Sequence, residues 1–182
     1  MYERKVLENC QKSLEKGNAC ATGIGIFAAV LFEGKILLRK RTDKNSMFGA
    51  DLSSKYELVG GAVGVDELNC QAQGCEYQGM VIDTLGRNLN LKAGLDYQFS
   101  PQEGMQLVLL PAFLAKSDMI DLAFVCPIPF SDIKETEEFK SAIRDGSLGF
   151  FSREEVSKIE VISKRMLFMI EEAFHYSEVH EL

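Results

Sequence analysis

The stretch GIGIFAAVLFEGKILLRKR, residues 23–41, constrains this chain more than any other. Two apolar runs flank Glu33-Gly34, a dipeptide suited to a tight turn, so the segment reads as a β-hairpin. The second run ends in three cations, Arg39, Lys40 and Arg41. Such a cluster is either a solvated strand end or a set of charges facing a phosphate. Residues 42–54 are polar and read as a loop, and KYELVGGAVGVDE, residues 55–67, reads as a short strand running into a glycine turn.

Around this hairpin the pattern alternates. Val6, Leu7, Cys10 and Leu14 share one face of an expected helix over residues 3–16, closed by Gly17. Gly74, Gly79 and Gly86 interrupt residues 68–93, which predicts a short helix near 67–73 and another from about Thr84 to Lys92, capped by Asp83 or Thr84. LDYQFS (95–100) and GMQLVLLPAFLA (104–115) are candidate paired strands, and IDLAFVCPIP (120–129) is a third. Residues 131–148 are charged and predict a short helix and a loop. Ser152 with Glu155 spells a capping box, and a last helix from about Ser163 is expected to bury Met166, Leu167, Ile170, Ala173 and Phe174. The order predicts one α/β (α+β) domain over 1–182, a helical arm at 1–17 and a core at 18–182, with a mixed sheet and helices packed on it.

Apolar residues make up 46% of the 182, enough for a real core. The net charge of −7 argues against a partner such as duplex nucleic acid, yet leaves room for a small anion in a locally basic pocket. Cysteines 10, 20, 70, 75 and 126 have no CxxC spacing, and the nearest histidine to Cys70 and Cys75 is His175. They read as reduced thiols of a cytoplasmic protein and not as a zinc site. His175 and His180 read as surface residues. No apolar run is long enough to span a bilayer, and the first seventeen residues lack an apolar signal core, so no membrane is expected.

ELVGGAVGVDE, residues 57–67, resembles the opening of a Nudix box, the signature of hydrolases acting on nucleoside diphosphates linked to another moiety. Gly61 and Glu67 fit its first half. With twelve extra residues in the gap, the second half begins at RNLNLKAGL, where Arg87, Leu89, Gly94 and Leu95 match and the three glutamates are replaced by Asn88, Leu91 and Lys92. A hairpin carrying basic residues precedes the box, as in the family. GFFSREEVSKIEV, residues 149–161, is similar to the family's late segment, where an aromatic-rich strand meets a short helix. The resemblance spans residues 23–175 and implies a mixed sheet sandwiched between helices.

It also implies chemistry. Hydrolysis of a diphosphate in this family uses magnesium held by helix carboxylates and an activated water. Asparagine keeps one neutral oxygen, leucine offers none, and a lysine ammonium about 5 Å from the ion repels it by roughly 6–7 kcal/mol at an effective dielectric near 20. By resemblance Glu67 is the box carboxylate that remains, as a catalytic or metal group, a salt-bridge partner for Arg87 or a surface charge; Arg87 is an orienting residue or a solvated one, and Glu57, Gly60 and Gly61 are part of the ligand-side surface with Arg39 and Arg41. Asn88 is a weak metal ligand on this reading. Lys92 is either a solvated charge or a fixed cation that holds phosphate where a metal would stand. Leu91, nearly opposite Leu89, is expected to be exposed. Glu76 and Asp83 are candidate replacement carboxylates.

The leading expectation is a protein that binds a nucleoside-diphosphate-type or phosphorylated metabolite with hydrolysis lost or weak and no cofactor. One alternative is an active magnesium-dependent diphosphohydrolase using replacement carboxylates. Another is a non-catalytic interaction module, homodimeric through residues 3–16.

Overall fold

In a computed structural model, a six-stranded mixed sheet carries the core between two helical layers. The structure describes residues 24–42, 51–63, 77–97, 108–110 and 122–180. The expected helices at 3–16 and 67–73 fall outside these residues, as do Cys10, Cys20, Cys70, Cys75, Glu67 and Glu76.

Strands β1 (Ile24–Phe32) and β2 (Lys35–Lys40) form the expected hairpin. Glu33 and Gly34 both have positive φ, 47° and 70°, as a two-residue turn between twisted strands requires. The hairpin ladder is short, pairing Leu31 with Ile36 and Phe32 with Lys35. Beyond it β3 (Tyr56–Ala62) enters between the two strands and pairs antiparallel with both. The sheet order is β5-β6-β1-β3-β2-β8, with β5 at Val108–Leu110, β6 at Leu122–Pro129 and β8 at Leu148–Phe151. β6 runs parallel to β1, and the other pairings are antiparallel.

Period-two alternation sends β1 to both faces. Ile26, Ala28 and Val30 join one core cluster, while Ala29 and Leu31 join the other. The first face is covered by α1 (Tyr77–Ala93) and α2 (Glu137–Asp145), through Val81, Leu85, Leu89 and Phe139. The second is covered by the single turn α3 (Arg153–Val156) and by α4 (Lys164–His180). Cys126 lies in the first core, and burial pushes its thiol up to about 12.

Three expectations are corrected. α1 does not start at Thr84. It begins at Tyr77 and runs through Gly79 and Gly86, so Asp83 and Thr84 are interior residues and not caps. Each interior glycine costs about 1 kcal/mol, less than the roughly 1.5–3 kcal/mol gained by burying each of Val81, Leu85 and Leu89 on one stripe. Second, Leu95–Asp96 (β4) pairs with Lys134–Glu135 (β7) in a separate two-stranded ribbon, while β5 pairs with β6. Third, Leu167 is 39% exposed, because it lies beside the stripe of Met166, Met169, Ile170, Ala173 and Phe174 that faces the sheet. The capping box is as expected, with Ser152 Oγ accepting from the Glu155 N–H at 3.3 Å and Glu155 Oε2 accepting from the Ser152 N–H at 2.7 Å. His175 and His180 are exposed.

Candidate functional site

Three elements meet at one end of the first face. Alternation along β2 puts Arg39 and Arg41 on the side of Leu37, toward α1. On β3, Glu57 and Gly61 share the side of Val59. The register sets Arg39 directly opposite Glu57, a cross-strand pair of opposite charge. Both Nε and Nη2 of Arg39 donate to Glu57 Oε1, at 3.2 and 2.5 Å, and Arg41 Nη1 lies 3.6 Å from Oε2. Glu57 is 5% exposed, so its carboxylate is committed to these two guanidinium groups.

α1 lies across β3. Leu85 and Leu89 enter the core, and Asn88 and Lys92, one turn apart, reach over the Gly60-Gly61 backbone. The close approach needs a residue without a side chain: a Cβ on Gly61 would lie 2.6 Å from Lys92 Nζ and 2.8 Å from Asn88 Oδ1. Lys92 Nζ donates to the Gly60 carbonyl. Asn88 Nδ2 donates to the Thr84 carbonyl at 2.7 Å, which fixes its amide orientation and leaves the buried Oδ1 without a hydrogen-bond partner. Arg87 Nη2 donates to the Ala62 carbonyl at 3.0 Å. Gly94 ends the helix at φ 63°, and Leu91 stands 73% exposed on its outer side.

Burial, followed by the positive field of Arg39, pushes the Lys92 ammonium down to about 8, with Arg87 and Arg41 adding to the shift and Glu57 opposing it. The expected residues Arg39, Arg41, Glu57, Gly60, Gly61, Arg87, Asn88 and Lys92 therefore gather in one place. Asp83 is an exposed residue of α1, nine positions before Lys92. Lys92 itself is partly buried, with its ammonium on the Gly60 carbonyl.

This donor set does not suit magnesium, which needs several hard oxygens in octahedral array. Leu91 has none, the Gly60 carbonyl already accepts from an ammonium, and Glu57 is engaged by two arginines. Among the described residues no cluster of three or more His, Cys, Asp or Glu is placed to hold a metal ion.

Beside Arg41 lies a polar cavity of about 440 Å³, open to solvent, lined by Lys40, Thr42, Ser53, Ser54, Asp145 and Ser147 among others. Sequence reading missed it because its walls come from the end of β2, from residues 53–54 and from the C-terminus of α2. No local pattern signals that convergence.

Lys92→Met gives a test of these electrostatics. The depression from the ordinary lysine value of 10.5 to about 8 corresponds to a penalty on the order of 3 kcal/mol for keeping the charged form folded. The lost hydrogen bond to Gly60 returns about 1 kcal/mol of that. The variant is expected to be about 1–2 kcal/mol more stable than the parent at pH 7. Since the folded value is the lower one, the penalty is complete below pH 8 and fades as pH rises toward 10.5, so the advantage should disappear over that window. Urea unfolding of both proteins at pH 7 and pH 10 checks this. A less stable variant at pH 7 contradicts it.

No protein-family model and no curated protein sequence matches this chain. Solved structures do. The MutT NUDIX hydrolase of Burkholderia pseudomallei matches with a TM-score of 0.50 at 17% identity, over 81% of this chain and 95% of that one. A NUDIX hydrolase of Nitrosomonas europaea matches with a TM-score of 0.51 at 12% identity, over 85% and 88%. The chain thus has the Nudix hydrolase fold, with its mixed sheet between helices. Within that fold, the helix beside the glycine turn presents Asn88, Leu91 and Lys92. Among the described residues, no helix is long and apolar enough to cross a membrane.

Proposed function

We propose that this protein binds a phosphorylated, nucleoside-diphosphate-type metabolite in the cleft between β2, β3 and α1, and that fixed cations take the place of the metal. The carrying observation is the Lys92 ammonium, held on the Gly60 carbonyl within the fields of Arg39, Arg41 and Arg87. Arg39, Arg41, Arg87 and Lys92 meet there with Glu57 among the described residues, a set of cations suited to a diphosphate. Guanidinium groups match phosphate oxygens in pairs, and a desolvated ammonium adds a point charge. The hydroxyl-rich cavity beside Arg41 receives the moiety beyond the phosphates. Hydrolysis is lost or weak on this reading, because Leu91 and Lys92 stand where the family's metal carboxylates belong.

The test is a thermal shift with ADP, measured in EDTA and again in magnesium. Equal stabilisation in both is expected. Lys92→Gln should weaken ADP binding at least tenfold, about 1.4 kcal/mol, while remaining folded. Stabilisation that appears only with magnesium, or magnesium-dependent release of phosphate from nucleoside diphosphate derivatives, would overturn the reading.

A further inference from the structure

Lys92 has more than charge to offer. A lysine amine becomes a nucleophile when desolvation and neighbouring cations hold a fraction of it neutral near physiological pH. Both conditions meet at this residue. It is packed where α1 meets β3, and the cations whose fields reach it are Arg39 on β2, Arg41 just past its end and Arg87 on α1. Among the described residues the opposing field comes from Glu57 on β3, whose carboxylate is already paired with Arg39 and Arg41. The same three guanidinium groups that oppose protonation form a phosphate-binding set. A third observation points to a ligand at the amine. Asn88 is 1% exposed, and its Oδ1 is an unpartnered acceptor directed at the same point over Gly61 as Lys92 Nζ.

We propose that Lys92 condenses reversibly with the carbonyl group of a phosphorylated aldehyde or ketone, whose phosphate is held by Arg39, Arg41 and Arg87. This rests on the anion-binding reading above and narrows its ligand class. The neutral Nζ lone pair attacks the carbonyl carbon and forms the N–C bond. The carbonyl π pair moves to oxygen, which takes the proton that the newly bonded nitrogen releases, giving a carbinolamine. Asn88 Oδ1 accepts a hydrogen bond from that new hydroxyl. Loss of water breaks the C–O bond and leaves an imine. Amine and carbonyl give imine and water, with no change of oxidation state and no further reactant.

The experiment uses pyridoxal 5′-phosphate as the carbonyl probe, borohydride to fix the imine, and peptide mass spectrometry to locate it. Lys92 should carry at least ten times the label of any other lysine at pH 8. Labelling should fall roughly fivefold between pH 8 and pH 7, as the neutral fraction of an amine titrating near 8 falls. Pyrophosphate should suppress it, and pyridoxal without its phosphate should show no preference for Lys92. The discriminating variant is Lys92→Arg, which keeps a cation at the position and is expected to lose the label. Label spread evenly over the lysines, or total label undiminished in Lys92→Arg, overturns the proposal. If the parent protein binds pyrophosphate without labelling at Lys92, the covalent step fails and the binding reading stands. If it binds neither pyrophosphate nor ADP, both fail.

Discussion

Gly60→Ala should destabilise the protein by about 3 kcal/mol, while its neighbour Gly61→Ala should cost less than about 1 kcal/mol and remove ligand binding instead. The contrast follows from what each new methyl group meets. At Gly60 it would run into the Ile26 carbonyl oxygen and the Phe27 ring, with the Phe27 Cα at 2.6 Å. Two of these three atoms belong to the backbone of β1, which is paired with β3 along Gly25–Ala28 and with β6 along its length. That backbone cannot retreat without breaking ladders on both sides. At Gly61 the obstacles are side-chain ends: Lys92 Nζ, which a long flexible chain can swing aside, and Asn88 Oδ1, which a small shift of α1 can ease while Nδ2 stays on the Thr84 carbonyl. Rotation preserves the fold but withdraws the ammonium from the cleft. Urea denaturation of the two variants, together with an ADP titration of Gly61→Ala, tests the pair. Equal stability losses would mean that α1 does not approach β3 as described.

Glu57→Gln should cost about 2–4 kcal/mol. Removing one partner of a buried ion pair typically costs 3–5 kcal/mol, because the remaining charge is left uncompensated. Here the guanidinium side chains are 21% and 18% exposed, so water relieves part of the loss. Glutamine keeps an oxygen for Arg39 but removes the negative charge that Arg39 and Arg41 share. Phosphate should then act as a substitute counter-ion, raising the melting temperature of Glu57→Gln more than that of the parent, since a ligand stabilises in proportion to the logarithm of its occupancy. Adding Lys92→Met should restore part of the lost stability, since the two residues interact and their effects are not additive. A Glu57→Gln protein as stable as the parent and indifferent to phosphate would show that the carboxylate has no such role.

Much of this arrangement was legible before any coordinates. The Glu33-Gly34 turn and the Ser152–Glu155 capping box each depend on a few adjacent residues, and each is present. The exposure of Leu91 followed from its angle to Leu89 on the helix. Misreadings arose where distant contacts outweighed local preference. Gly79 and Gly86 suggested a broken helix, but Val81, Leu85 and Leu89 bury enough surface on the sheet to carry the helix through them. Leu95–Asp96 found its partner at Lys134–Glu135, almost forty residues away, where strand pairing depends on topology and not on neighbours.

The same division holds for the site. By itself the sequence determined which groups are available, Asn88, Leu91 and Lys92 among them, because side-chain chemistry is carried by residue identity alone. Only the tertiary structure decided how they are used. It set Arg39 against Glu57 through strand register, and it laid Lys92 over a glycine with no Cβ. It also depressed the affinity of that lysine for its proton by burying it among arginines from other elements. Burial and Coulomb fields depend on distances through space, and distances through space are what a linear chain acquires by folding.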